Sequence, residues 1–129
     1  MNESDRKQRG AAKTARIQGR ELDVDTEITV CTGATDGLFS VIHAIVHSGD
    51  EVIVFDPFFV MYEPLVSLVG GRVVLIDTYP DFRIDLNRVA DAITPRTKLI
   101  LLNSPANPTG VVATDQEIRG LAQLAAERE

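Results

Sequence analysis

Cysteine is almost absent. Cys31 is the single one in 129 residues, which excludes an internal disulfide and fits a reducing compartment. Basic charge is also in short supply: 13 Lys and Arg stand against 19 Asp and Glu, for a net charge of −6. A nucleic-acid-binding surface is normally basic, so no nucleic-acid partner is expected. No apolar run approaches the ~20 residues that span a bilayer. The opening MNESDRKQRG lacks the apolar core of a secretory signal. There is no internal repeat and no low-complexity segment. Also missing are the dinucleotide fingerprint G-x-G-x-x-G, a Walker A loop, the zinc motif H-E-x-x-H and a nucleophile-elbow serine. A soluble, cytoplasmic protein without a membrane partner is the expectation. What remains is ordinary globular composition, 44% hydrophobic and 25% charged, in a length that suits one domain or part of one.

The apolar residues alternate between two periods. EITVCTG reads as a short strand over Ile28–Cys31, and residues 52–55, 73–76 and 99–102 form continuous apolar runs. Between them, Leu38, Val41, Ile42, Ile45 and Val46 recur at the helical period. FFVMYEPLVSLVGG predicts a helix, provided that Pro64 sits in its first turn. A short helix opens near Asp85. Thr114 and Glu117 have the spacing of a capping box at the start of a last helix that runs to the C-terminus. Residues 1–10 are polar and are expected to be disordered, with a first helix from about residue 5 to 19. Continuous apolar strands alternating with helices indicate an α/β fold, with a mostly parallel sheet of about four strands and helices on both faces.

Three stretches carry chemistry. In TGATDG, residues 32–37, a glycine turn opens a helix whose free N–H groups and dipole favour an anion such as phosphate, and Thr32 and Thr35 could add hydroxyls. Alone, it is more simply a tight strand-to-helix turn. In DPFFVMY, Phe58 and Phe59 follow a strand end, where a ring can stack on a planar ligand as readily as it can fill the core. In NSPANPTG, residues 103–110, proline pushes Asn107 out of the helical region and lowers the cost of presenting its amide. That amide can donate to a phenolate oxygen or a carboxylate. His43 and His47 share a helix face at i, i+4, but no third ligand joins them, so a solvated face is the simpler reading. The order of the three stretches is more specific than any one. A phosphate turn, an aromatic and an amide, all after strands, suit one ligand: pyridoxal 5'-phosphate.

With these motifs the chain resembles the class I/II aminotransferases of PLP fold type I. EITVCTGATDGLF, GDEVIVFDPFFVMYEP, GGRVVLID and TKLILLNSPANPTG are similar to the branch containing kynurenine and methionine aminotransferases. The resemblance implies that residues 1–129 are part of the large, cofactor-binding domain. It puts the phosphate cradle on Gly33, Ala34 and Thr35, the ring-stacking aromatic on Phe59, and the partner of the phenolic oxygen on Asn107, with Asn107–Pro108 cis. It departs from relatives at Asp36-Gly37, where Glu-Ala is common. The substrates implied are an amino acid and a 2-oxo acid, and the parent protein is expected to be a homodimer. A C–S β-lyase, or the non-catalytic aminotransferase-like domain of a regulator, would fit the same segment. The chain stops at LAAERE without a helix stop signal, and the family's cofactor-binding lysine follows NPTG by a long interval. A fragment truncated at both ends, contributing no catalytic residue and inactive alone, is therefore expected.

Overall fold

The computed structural model describes residues 2–127, without the side chain of Gln18. It divides into two compact units, Met1–Leu38 and Phe39–Glu129.

The first unit begins with α1 (Glu3–Gln18). The helix starts inside the stretch that composition suggested to be disordered, and the reason is local. Asn2 accepts from the Asp5 N–H at 2.8 Å and the Asp5 carboxylate accepts from the Asn2 N–H at 3.4 Å, a reciprocal cap. Gly19, at φ 69°, ends the helix by donating to the Ala15 carbonyl. Beyond it Arg20 pairs with Glu27 at 2.7 Å across a polar turn. Ile28–Cys31 belongs to no sheet. Its residues suit a strand, but a strand exists only through a neighbour's hydrogen bonds, and among the described residues none supplies them. The unit ends in the first residues of α2 (Ala34–Ile45).

The second unit is built on β1 (Glu51–Asp56), β2 (Arg72–Asp77) and β3 (Thr97–Leu101), all parallel, in the order β2-β1-β3. Among the described residues the sheet thus has three strands, one fewer than expected, and the missing one is Ile28–Cys31. Val52, Ile53 and Val54 of the middle strand are fully buried, as strands covered on both faces must be. Alternation sends Ile53 to one face, where Ile76, Val89 and Leu121 complete a core with α4 (Leu86–Ala92) and α5 (Asp115–Ala126). Val52 and Val54 point to the other face, and α3 (Tyr62–Leu68) packs on β2. Pro64 does lie in the first turn of α3, where its missing N–H costs nothing. Asp85 and Thr114 cap α4 and α5.

At the N-terminal rim of the sheet sits one fully buried carboxylate. Glu51 accepts from Thr94 Oγ1 at 2.7 Å, from Arg72 at 2.6 Å and from Arg96 Nε at 2.9 Å. The Thr94 hydroxyl, then the Arg72 and Arg96 guanidinium groups, hold its carboxyl at about 2 against the cost of burial. Both arginines are mostly exposed, so a single layer of side chains covers the carboxylate. This rim is opposite the end where ligands bind in open parallel sheets.

Candidate functional site

In the second unit the chain leaves β1 for β2 on one side, while β3 lies on the other. That change of direction opens a crevice beyond the carboxyl ends of the strands. Phe58 and Phe59 follow β1, and NSPANPTG follows β3, so both predicted elements reach this crevice.

The loop after β3 is held by its own backbone. Ala106 N–H donates to the Val111 carbonyl at 2.8 Å, and Gly110 N–H donates to the Ala106 carbonyl at 2.7 Å, with Gly110 at φ 75°. Ser104 Oγ accepts from Ala113 N–H at 3.0 Å. Asn107–Pro108 is cis, as expected, and so is Ser104–Pro105. Asn107 is exposed, and among the described residues its side-chain amide has no hydrogen-bond partner. It lines a cavity of about 50 Å³ together with Phe58, Asn103, Thr109 and Arg83. The free amide is thus presented rather than consumed in closing the loop.

Phe58 lines the cavity and stacks on Tyr62 at 6.3 Å, whereas Phe59 lies outside the lining and meets the Tyr62 ring edge-on at 5.7 Å. Burial pushes the Tyr62 phenol up. Tyr62 therefore contacts both rings, and Phe59 is half-buried outside the cavity that Phe58 lines.

The phosphate turn belongs to the first unit. Gly33 adopts φ 138°, a conformation open to glycine, and a Cβ built there meets no atom within 4 Å. The N–H groups of Ala34 and Thr35 open α2 and have no acceptor among the described residues. Asp36 turns its carboxylate back, accepting from Thr32 N–H at 2.9 Å and Thr32 Oγ1 at 3.0 Å. These two bonds hold its carboxyl below the ordinary range. The Thr32 hydroxyl is thus engaged, leaving the Thr35 hydroxyl as the free one. At Gly37 an added Cβ would make ordinary contact with Cys31, so the glycine is no steric requirement there.

Each unit by itself presents groups of the kind the expected cofactor needs. An open glycine turn with two free N–H groups suits a phosphate, a supported ring suits stacking, and an unpaired amide suits an oxygen acceptor. Among the described residues no group of three or more His, Cys, Asp or Glu could hold a metal. His43 instead stacks on Phe39 at 5.3 Å. Among the described residues no helix is long and apolar enough to cross a membrane. Sequence reading missed Arg83, whose place at the cavity has no local signal, and found Glu117 only as a helix cap.

The family model described as aminotransferase class I and II matches residues 6–129. The methionine aminotransferase of Escherichia coli is 41% identical over 120 residues, covering 92% of this chain and 31% of that protein. The aspartate/prephenate aminotransferase of Thermus thermophilus is 45% identical over 122 residues, again covering 92% of this chain and 31% of that protein. Among solved structures, an Escherichia coli protein with methionine aminotransferase function superposes at a TM-score of 0.91 and 40% identity, over 95% of this chain and 32% of that chain. The N-succinyldiaminopimelate aminotransferase of Mycobacterium tuberculosis superposes at 0.90 with 34% identity, over 95% of this chain and 33% of that one. The chain spans about a third of the length of the relatives it matches. It belongs to the class I and II aminotransferases, a family of pyridoxal-phosphate enzymes.

Proposed function

We propose that the whole protein is a cytoplasmic, homodimeric aminotransferase that moves the amino group of an amino acid to a 2-oxo acid, and that this chain supplies half of its cofactor cradle. The observation that carries the reading is the free amide of Asn107, presented beside the aromatic cluster at the carboxyl end of a parallel sheet.

Bound here, pyridoxal phosphate supplies an electron sink for the substrate's α-carbon. The chain's own residues bind and orient. Ala34 and Thr35 donate backbone N–H groups to a phosphate, and Thr35 adds a hydroxyl. Phe59 offers its ring face, held by Tyr62. Asn107 donates its amide to a phenolic oxygen and helps hold a substrate carboxylate. No lysine is in place for covalent attachment in the second unit. Its one lysine, Lys98, lies near the start of β3, at the end of the strand away from the crevice.

The test is a spectroscopic and kinetic assay of the full-length protein that contains this segment. Ping-pong transfer from methionine or aspartate to a 2-oxo acid is expected. Release of ammonia and pyruvate from cysteine conjugates, without such transfer, would indicate a β-lyase instead. No turnover of either kind would leave a non-catalytic domain. The 129-residue chain alone should show no transamination, and borohydride reduction with the cofactor should leave Lys98 unlabelled.

A further inference from the structure

Arg83 and Glu117 are 34 residues apart and meet at the rim of the crevice. Arg83 lies on the loop after β2, just past Phe82, whose φ of 57° turns the backbone there. Its guanidinium donates to the Val112 carbonyl from both Nη1 and Nη2, at 3.3 and 3.2 Å, and to Glu117 Oε2 at 3.3 Å. Glu117 is buried. It accepts from Ile84 N–H at 2.9 Å, from Thr114 N–H at 2.6 Å and from Thr114 Oγ1 at 2.8 Å. Burial alone would raise its carboxyl, but the Ile84 and Thr114 donors and Arg83 bring it below the ordinary range.

These bonds do more than cap α5. Val112 and Thr114 are the exit of the loop that carries Asn107. Val111 accepts from Ala106, the residue before Asn107, and Ala113 donates back to Ser104. These internal bonds therefore end on Val111 and Ala113, either side of Val112. Two further groups, Val112 C=O and Thr114 N–H, are gripped from outside by Arg83 and Glu117. A plain helix cap would need neither Arg83 nor the bond from Ile84.

We infer that Arg83 and Glu117 form a positioning clasp for the Asn107 loop, tying it to the loop after β2 so that the amide faces the crevice. The clasp itself rests on hydrogen bonds alone, and its benefit to a cofactor rests on the reading above. Neither side chain is a catalytic residue.

The experiment is amide hydrogen exchange on the 129-residue chain, followed by NMR, in four variants. Arg83→Met and Glu117→Gln should each speed exchange at Ala106 and Gly110 by roughly tenfold or more, the loss expected for a hydrogen bond to a charged group. Arg83→Lys keeps one charged donor and should recover part of the protection. Thr114→Ala weakens the cap but leaves the links to Ile84 and Arg83. It should speed exchange in the first turn of α5 and leave Ala106 and Gly110 unchanged. Unchanged loop amides in Arg83→Met, or equal acceleration in Thr114→Ala, would overturn the clasp. Should Glu117→Gln fail to fold, Arg83→Met decides alone. A separate titration of the full-length protein that contains this segment with pyridoxal phosphate, read by absorbance, bears on cofactor binding. Its failure would count against the cofactor cradle while the exchange result stands.

Discussion

Ile53→Ala tests whether the middle of the sheet is where the stability of the second unit resides. Ile53 is fully covered, at the centre of the middle strand, against Ile76, Val89 and Leu121. Truncation removes three carbons, a transfer loss of about 2.4 kcal/mol at ~0.8 per methylene. If the neighbours stay in place, a void on the order of 70 Å³ adds about 1.7 kcal/mol. The expected loss is therefore about 4 kcal/mol, near the top of the usual range of about 2–5 for such truncations. A chain of this size has a total stability on the order of 6–19 kcal/mol, so the change is large. Urea unfolding followed by circular dichroism gives the value as a shift in midpoint at constant slope. Ile53→Val should cost only about 0.5–1.5 kcal/mol. Leu75, 53% exposed on the outer strand β2, provides the control. Leu75→Ala should cost under about 1 kcal/mol, since most of its surface is already in water. Equal losses at Ile53 and Leu75 would refute the layered core, and with it the route by which β1 delivers Phe58 and Phe59 to the crevice.

Glu51→Gln addresses the opposite rim. A carboxyl held at about 2 in the fold, against an ordinary 4.5, stabilises the protein above pH ~4.5 and loses that contribution as pH falls toward ~2. The parent should weaken across that window while the variant, weaker at pH 7, changes less; parallel curves would exclude the rim as the source. Gly71→Ala should cost about 1–3 kcal/mol by overpacking, because the new Cβ would lie 2.8 Å from Val46 and 3.0 Å from Val66. Thermal unfolding measures it, and an unchanged midpoint would mean that Val46 and Val66 yield freely. Gly33→Ala meets no atom at all, so its expected loss of about 1–3 kcal/mol is purely backbone strain. Gly33→Asn should lose about as much, because φ 138° lies far from the left-handed region that Asn tolerates; no loss in either variant would argue against strain as the cause.

Much of this molecule could be read before its structure. The apolar runs at 52–55, 73–76 and 99–102 became three parallel strands, as short apolar runs alternating with helices predict, although only the middle one is buried along most of its length. Thr114 and Glu117 capped a helix because a capping box needs only residues three apart. The exposed amide of Asn107 followed from prolines that act on their immediate neighbours. Each of these is a local rule. Ile28–Cys31 shows where local rules stop, since its residues favour a strand but strand formation depends on a partner elsewhere in the chain. Asn2, a strong N-cap, outweighed the polar composition of the first ten residues. The remaining features are contacts between distant positions: Glu51 with Arg72 and Arg96, 21 and 45 residues away, and Arg83 with Glu117, 34 away. Residue type says only that these charges need partners. Which partner each one meets is set by the order β2-β1-β3, which brings the strand ends and their loops together.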